Sequence, residues 1–144
     1  MKWNAVRHVL APIDLAEPDD TGVRLALEAA GHADNVHVMY VLPPVEVSPM
    51  LPDPATKIAE VRAELRTWLE QRGLPPGIRT HVSVSTAPEK AISELAGALK
   101  VDLVILPSHG RSGLSRLLLG SVAEQIIRHS PCPVLVLKPG RADP

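Results

Sequence analysis

The sequence predicts an α/β domain built on a doubly wound parallel sheet. Three observations lead there. Short Val-, Ile- and Leu-rich runs, each bounded by turn formers, recur along the chain, as strands buried on both faces require. Between them lie stretches whose apolar residues fall on one face of a helix. The resulting order β-α-β-α-β-α-β-α-β asks for parallel strands joined by right-handed crossovers.

The first strand is read as Val6 to Ile13 (VRHVLAPI), ending at Asp14. A helix follows, opened by Pro18-Asp19-Asp20-Thr21, whose carboxylates complement the dipole of a first turn. It is striped by Val23, Ala26, Leu27 and Ala30 and ended by Gly31. Val36 to Leu42 is the second strand, running into Pro43-Pro44. The segment Pro43 to Pro54 holds five prolines and reads as a stiff, extended loop or lid. The second helix carries Ile58, Val61, Leu65, Trp68 and Leu69 and stops at Gly73. In Ile78 to Val84, Ile78, Thr80, Val82 and Val84 alternate with Arg79, His81 and Ser83, which places this strand at an edge. Pro88-Glu89 opens a third helix through Ala91, Ile92, Leu95, Ala96 and Leu99. Val101 to Leu106 is the fourth strand, ending at Pro107. A helix from about Ser121 to His129 turns Val122, Ala123, Ile126 and Ile127 inward, and Val134 to Leu137 closes the sheet.

With 144 residues, 45% of them hydrophobic, the chain suits a single domain over 1–144 with an aliphatic core. Phe is absent, and Trp3, Trp68 and Tyr40 are the only aromatics, too few for base-stacking platforms. A net charge of −1 from 15 basic and 16 acidic residues offers no broad footprint for nucleic acid or an anionic membrane. The lone Cys132 rules out an internal disulfide and fits a reducing compartment. The first residues lack the order of a signal peptide, and no apolar run approaches the ~20 residues of a membrane helix. A cytoplasmic protein is expected.

In doubly wound sheets ligands bind beyond the C-terminal strand ends, where the strand order reverses. Asp14, Val41 and Pro107 stand at such ends. From Pro107 to Val122 the chain leaves a buried strand and reaches a helix start through Gly110, Gly113 and Gly120, which let backbone approach a ligand closely. The free N–H groups of Ser121 and Val122 suit an anion, the Ser121 hydroxyl can cap the helix or bond a phosphate oxygen, and Arg111 and Arg116 can neutralise charge. The same spacing serves equally as an ordinary loop with Gly120-Ser121 as a helix cap.

This stretch resembles the universal stress protein loop, G-x2-G-x9-G-[ST]: Gly110 and Gly120 are separated by nine residues and Ser121 follows. Ala11-Pro12-Ile13-Asp14, Tyr40-Val41, Asp102-Leu103-Val104-Ile105 and Cys132-Pro133-Val134-Leu135-Val136 extend the resemblance over nearly the whole chain. It implies a Rossmann-like sheet of strand order 3-2-1-4-5. It implies a stress-response regulator that binds ATP, with Mg²⁺ or Mn²⁺ carried by the phosphates. Pro12 and Asp14 would then sit at the ribose or adenine, and Val41 would meet adenine through its backbone. Gly110, Arg111 and Ser112 would line ribose and phosphates, and Gly120, Ser121 and Val122 would bind the phosphates. The family commonly pairs through its last strand. The bare aliphatic edge of Val134 to Leu137 points independently to a homodimer.

Two positions depart from the pattern. The first motif glycine is Pro107, which has a fixed φ and no N–H, and Ala16 stands where the family often has Ser or Thr. A second reading is therefore a nucleotide-free interaction or scaffold protein whose site Pro107 has closed. A third, an enzyme, ranks last. No GK[ST] loop or G-x-S-x-G elbow is present, and no carboxylate stands beside His109 to orient it as a base, so any ATP hydrolysis is expected to be slow. His8, His32, His37, His81 and His129 share no ligand spacing, so neither metal ligands nor catalytic residues are assigned. Cys132 reads as a packed residue.

Overall fold

The computed structural model describes residues 3–44, 53–107 and 121–138. After a short 3-10 turn at Trp3–Ala5 come β1 (Val9–Pro12), α1 (Thr21–Ala30), a second 3-10 turn (Ala33–Asn35), β2 (Val36–Leu42), α2 (Pro54–Gln71), β3 (Arg79–Val84), α3 (Pro88–Leu99), β4 (Leu103–Leu106), α4 (Ser121–His129) and β5 (Val134–Val136). The five strands form one sheet of order β3-β2-β1-β4-β5, parallel throughout. The expected fold class and strand order are both observed, with β3 at an edge.

Successive side chains on a strand point to opposite faces, and that alternation divides the core in two. Val9, Ala11, Val36, Val38, Leu103 and Ile105 face Val23 and Ala26 of α1 and Leu65, Trp68 and Leu69 of α2. Leu10, Met39, Val104 and Leu106 face Ala91, Ile92 and Ala96 of α3 and Ile126 of α4. Two crossovers thus lie over each face, as right-handed connections on either side of β1 require.

Several boundaries move. β1 is shorter than Val6 to Ile13, although Ile13 still donates to the Met39 carbonyl at 2.9 Å. Asp19 and Asp20 precede α1 rather than occupying its first turn. Asp19 Oδ1 accepts the Thr21 N–H at 2.9 Å, and Asp20 pairs with Arg24 at 2.9 Å. Pro54 belongs to α2 and not to the preceding loop: it is the first helical residue, where a missing N–H costs nothing, and Asp53 caps the helix by accepting from Ala55 N–H at 3.2 Å. Residues 45–52 of the expected lid lie outside the described residues. On α4, Val122 and Ile127 are 40% and 46% exposed instead of buried. Ile127 is turned ~100° from the buried Ile126 about the helix axis, and Val122 sits in the first turn.

Glycine ends α1 as expected: Gly31, at φ 78°, donates to the Leu27 carbonyl at 2.9 Å. α3 ends instead on Lys100 at φ 53°, a left-handed conformation that only glycine adopts without strain.

Candidate functional site

β1 pairs with β2 on one side and β4 on the other, and the chain winds in opposite directions from it. The crevice of the sheet therefore opens between the C-terminal ends of β1 and β4. The register Val9↔Leu103 and Leu10↔Val104, carried two residues on, sets Pro12 level with Leu106. The chain thus leaves β1 toward Asp14 beside the point where it leaves β4 toward Pro107.

Pro12 is the buried last residue of β1. Asp14 follows, half-buried in a tight turn: its Oδ1 accepts the Ala16 N–H at 2.9 Å, and its carbonyl accepts the Glu17 N–H at 3.0 Å. Its second carboxylate oxygen has no partner among the described residues. At the position where the family often has a Ser or Thr, Ala16 supplies only its backbone N–H, and that serves to fix Asp14.

The turn is braced from α2. Trp68, buried, donates its indole N–H to the Glu17 carbonyl at 3.2 Å. The Arg72 guanidinium lies 3.8 Å from the Trp68 ring centroid and reaches the Pro18 carbonyl at 3.4 Å. Arg24 donates in turn to the Arg72 carbonyl at 2.8 Å. The helical spacing of Trp68 signals only a core residue; its polar edge acquires this bracing role through the tertiary packing.

Val41 stands near the end of β2, half-buried and paired in register with Ser83. Ser121 and Val122 open α4, both exposed, with the first-turn N–H groups at the start of the helix. Gly110, Arg111, Ser112 and Gly120 lie outside the described residues, as do His109 and Arg116. Pro107 is half-buried directly after β4, and the ladder at this end is closed by the Leu137 N–H donating to the Leu106 carbonyl at 3.1 Å.

Cys132 packs against the α3 and α4 side of the core. Burial pushes its thiol up from the ordinary value, the opposite of what a reactive thiolate needs. Among the described residues, no three His, Cys, Asp or Glu side chains are placed to hold a metal ion, and no helix is long and apolar enough to cross a membrane.

The profile of the family described as "Universal stress protein family" matches residues 5–138. The chain belongs to the universal stress protein family. It is 34% identical to universal stress protein MJ0531 of Methanocaldococcus jannaschii, over 94% of this chain and 84% of that protein. It is 32% identical to universal stress protein E of Escherichia coli K12 over 78% of its own length, but spans only 37% of that longer relative. Among solved structures it resembles UspA from Lactobacillus plantarum, with a TM-score of 0.69 at 19% identity over 92% of this chain and 98% of the other. It also resembles a universal stress protein solved in complex with cAMP, with a TM-score of 0.63 at 23% identity over 93% and 98% of the two chains. These two likenesses concern the fold.

One arrangement was not foreseen from the sequence. His8, His37 and His81, which share no spacing along the chain, lie side by side across the start of β1, β2 and β3. The His8 and His37 ring centroids are 6.0 Å apart, and those of His37 and His81 5.1 Å. His37 Nδ1 lies 2.9 Å from His81 Nε2. The signal was present as strand parity combined with register, since His81 pairs with Met39, two residues beyond His37 on the same face.

Proposed function

We propose that this universal stress protein binds ATP in the crevice between β1 and β4 and acts as a homodimeric stress-response regulator. The observation that carries the reading is the meeting at one sheet end of Pro12, Asp14 and Pro107, with the helix that follows the motif loop starting at Ser121. The Asp14 oxygen that has no partner among the described residues suits a ribose hydroxyl, and Val41 would meet adenine through its backbone. The N-terminus of α4 and the Ser121 hydroxyl suit phosphate oxygens. Gly110, Arg111, Ser112 and Gly120 complete the phosphate cradle by the family pattern. Mg²⁺ or Mn²⁺ would be carried on the phosphates, since no protein carboxylate is assigned to it. The donor set suits binding and orienting, and among the described residues it holds no arranged base for activating water; the proposed role is binding, with at most slow hydrolysis.

The complex of a related fold with cAMP supports an adenine nucleotide as the class of ligand. Nucleotide binding would change the surface formed by the motif loop, and so the surface offered to a partner protein. Isothermal titration with ATP and Mg²⁺ tests this. Saturable heat is expected from the wild type and none from Gly120→Arg, whose side chain fills the phosphate space. Unchanged affinity in that variant would refute the placement.

The alternative, a nucleotide-free scaffold of the same family, draws on one feature, the proline at position 107. It predicts that protein purified from cells carries no adenine absorbance.

A further inference from the structure

At the N-terminal ends of the strands, opposite the nucleotide crevice, His37 is a buried polar residue, 5% exposed. Its ring meets that of His81 diagonally across the β2–β3 pairing, since His37 itself is in register with Arg79, and Nδ1 lies 2.9 Å from Nε2. One ring must donate and the other accept, so the contact requires at least one ring to be neutral. His8 extends the row on the other side at 6.0 Å.

Among the described residues, the charged groups that act on this pair are cationic. From β3 comes Arg79, which acts on both rings, and from α2 comes Arg62, which acts on His81. Arg66 of α2 is turned to the β3 edge, donating to the Ile78 carbonyl at 2.9 Å and the Thr80 hydroxyl at 3.3 Å. The turn before β2 contributes the Asp34 carbonyl, which accepts from Arg79 Nε at 2.9 Å, while the Asp34 carboxylate lies toward Gly77. Asp102 is committed to the backbone of Arg7 and His8. From α3, Lys90 and Glu94 line the opposite end of β3, at Ser83 to Ser85.

Protonation therefore meets two obstacles. The first added proton places a charge in a buried ring beside Arg79, and no carboxylate among the described residues is a resolved influence on either ring. A second leaves two N–H donors opposed at hydrogen-bonding distance. Burial, then His81, His8 and Arg79, lower His37 to about 4. Burial, then Arg62 and Arg79, lower His81 as well.

We propose that the His37–His81 contact is an acid-labile clasp: proton uptake releases the β3 edge from β2 while β1, β4 and β5 stay paired. The sign follows from linkage. Freed rings bind protons at the ordinary value near 6.5, whereas the clasped rings do so only at lower pH. The clasp is therefore at full strength above pH 6.5 and weakens as pH falls toward about 4. The arrangement does not suit a metal ion, because the rings lie in a row with Arg79 beside them and no three donors converge among the described residues.

Amide hydrogen exchange on the full chain tests the proposal, with each rate divided by the intrinsic rate at the same pH. Between pH 7 and 5, protection of the alternate β3 amides that donate to β2, the set that runs on to Ser85, should fall at least tenfold while that of Val104–Leu106 holds. In His37→Gln/His81→Gln the difference should vanish. Equal loss in both strands, a flat response in β3, or an unchanged response in the double variant would overturn the clasp. Ring titration of the wild type by NMR gives an independent reading: both histidines titrating at or above 6.5 would also overturn it.

Discussion

Asp102 shows how one side chain can hold two distant parts of the chain in place. Its Oδ2 accepts the backbone N–H groups of Arg7 at 3.0 Å and His8 at 2.9 Å, and its own N–H donates to the His8 carbonyl at 2.8 Å. The start of β1 is thereby fixed against β4, and with it the register that brings Asp14 beside Pro107. The His8 N–H chiefly, opposed by burial and helped by the Arg7 N–H and the charges of His8 and Arg7, holds the carboxyl below its ordinary 3.8. Asp102→Ala should cost about 1–3 kcal/mol in chemical denaturation, because two backbone donors lose their acceptor. The pH dependence follows: the unfolded carboxyl takes its proton first, so the contribution is complete above 3.8 and is lost as pH falls through the lower native value. Asp102→Asn should flatten that acid limb, and an unchanged limb would show that the pairing contributes nothing. The window lies below that of the histidine clasp, so the two effects separate on a pH axis. Asp102 was legible in the sequence only as part of a family-like run; its backbone acceptor role needs the β1–β4 pairing to exist.

At the scale of elements, the helical stripes were legible because a 3.6-residue period survives whatever the helix packs on. Val23 and Ala26, Leu65 and Trp68, Ala91 and Ile92 all turn inward as read. Ends were less legible. α2 starts at Pro54, since proline and a capping Asp53 open a helix as readily as they close a loop, and α3 ends on Lys100 with no glycine to announce it. Ile127 resembles a core residue in a window of nine but falls on the wrong side of α4. β5 pairs only with β4 among the described strands, and Val134, Leu135 and Val136 are each half-buried. An aliphatic edge strand of this kind is open to pairing, and the proposed homodimer would cover it with a second copy across a two-fold axis. Light scattering at micromolar protein should therefore give twice the mass of the chain. A strict monomer would remove the Val134–Leu137 pairing from the account.

For the molecule as a whole, the sheet was readable because five short apolar runs and four helices in alternation leave few topologies. Ligand chemistry was readable only to the helix start at Ser121; the nucleotide reading came from the spacing of Gly110 and Gly120. What the chain order conceals is neighbourhood across strands. His8, His37 and His81 are scattered in sequence and adjacent in space, and Trp68 and Arg72 brace a turn some fifty residues before them. The proposed nucleotide crevice and the proposed histidine clasp thus fall at separate ends of the sheet, the first at the C-terminal strand ends and the second at the N-terminal ends. Pro107 stands where the family motif begins, so the central claim is tested there. Titration of the wild-type chain with ATP and Mg²⁺, run beside Pro107→Gly, should give saturable heat in both. No heat from the wild type up to high micromolar nucleotide would contradict the account, and binding regained in Pro107→Gly would assign the closed site to that proline.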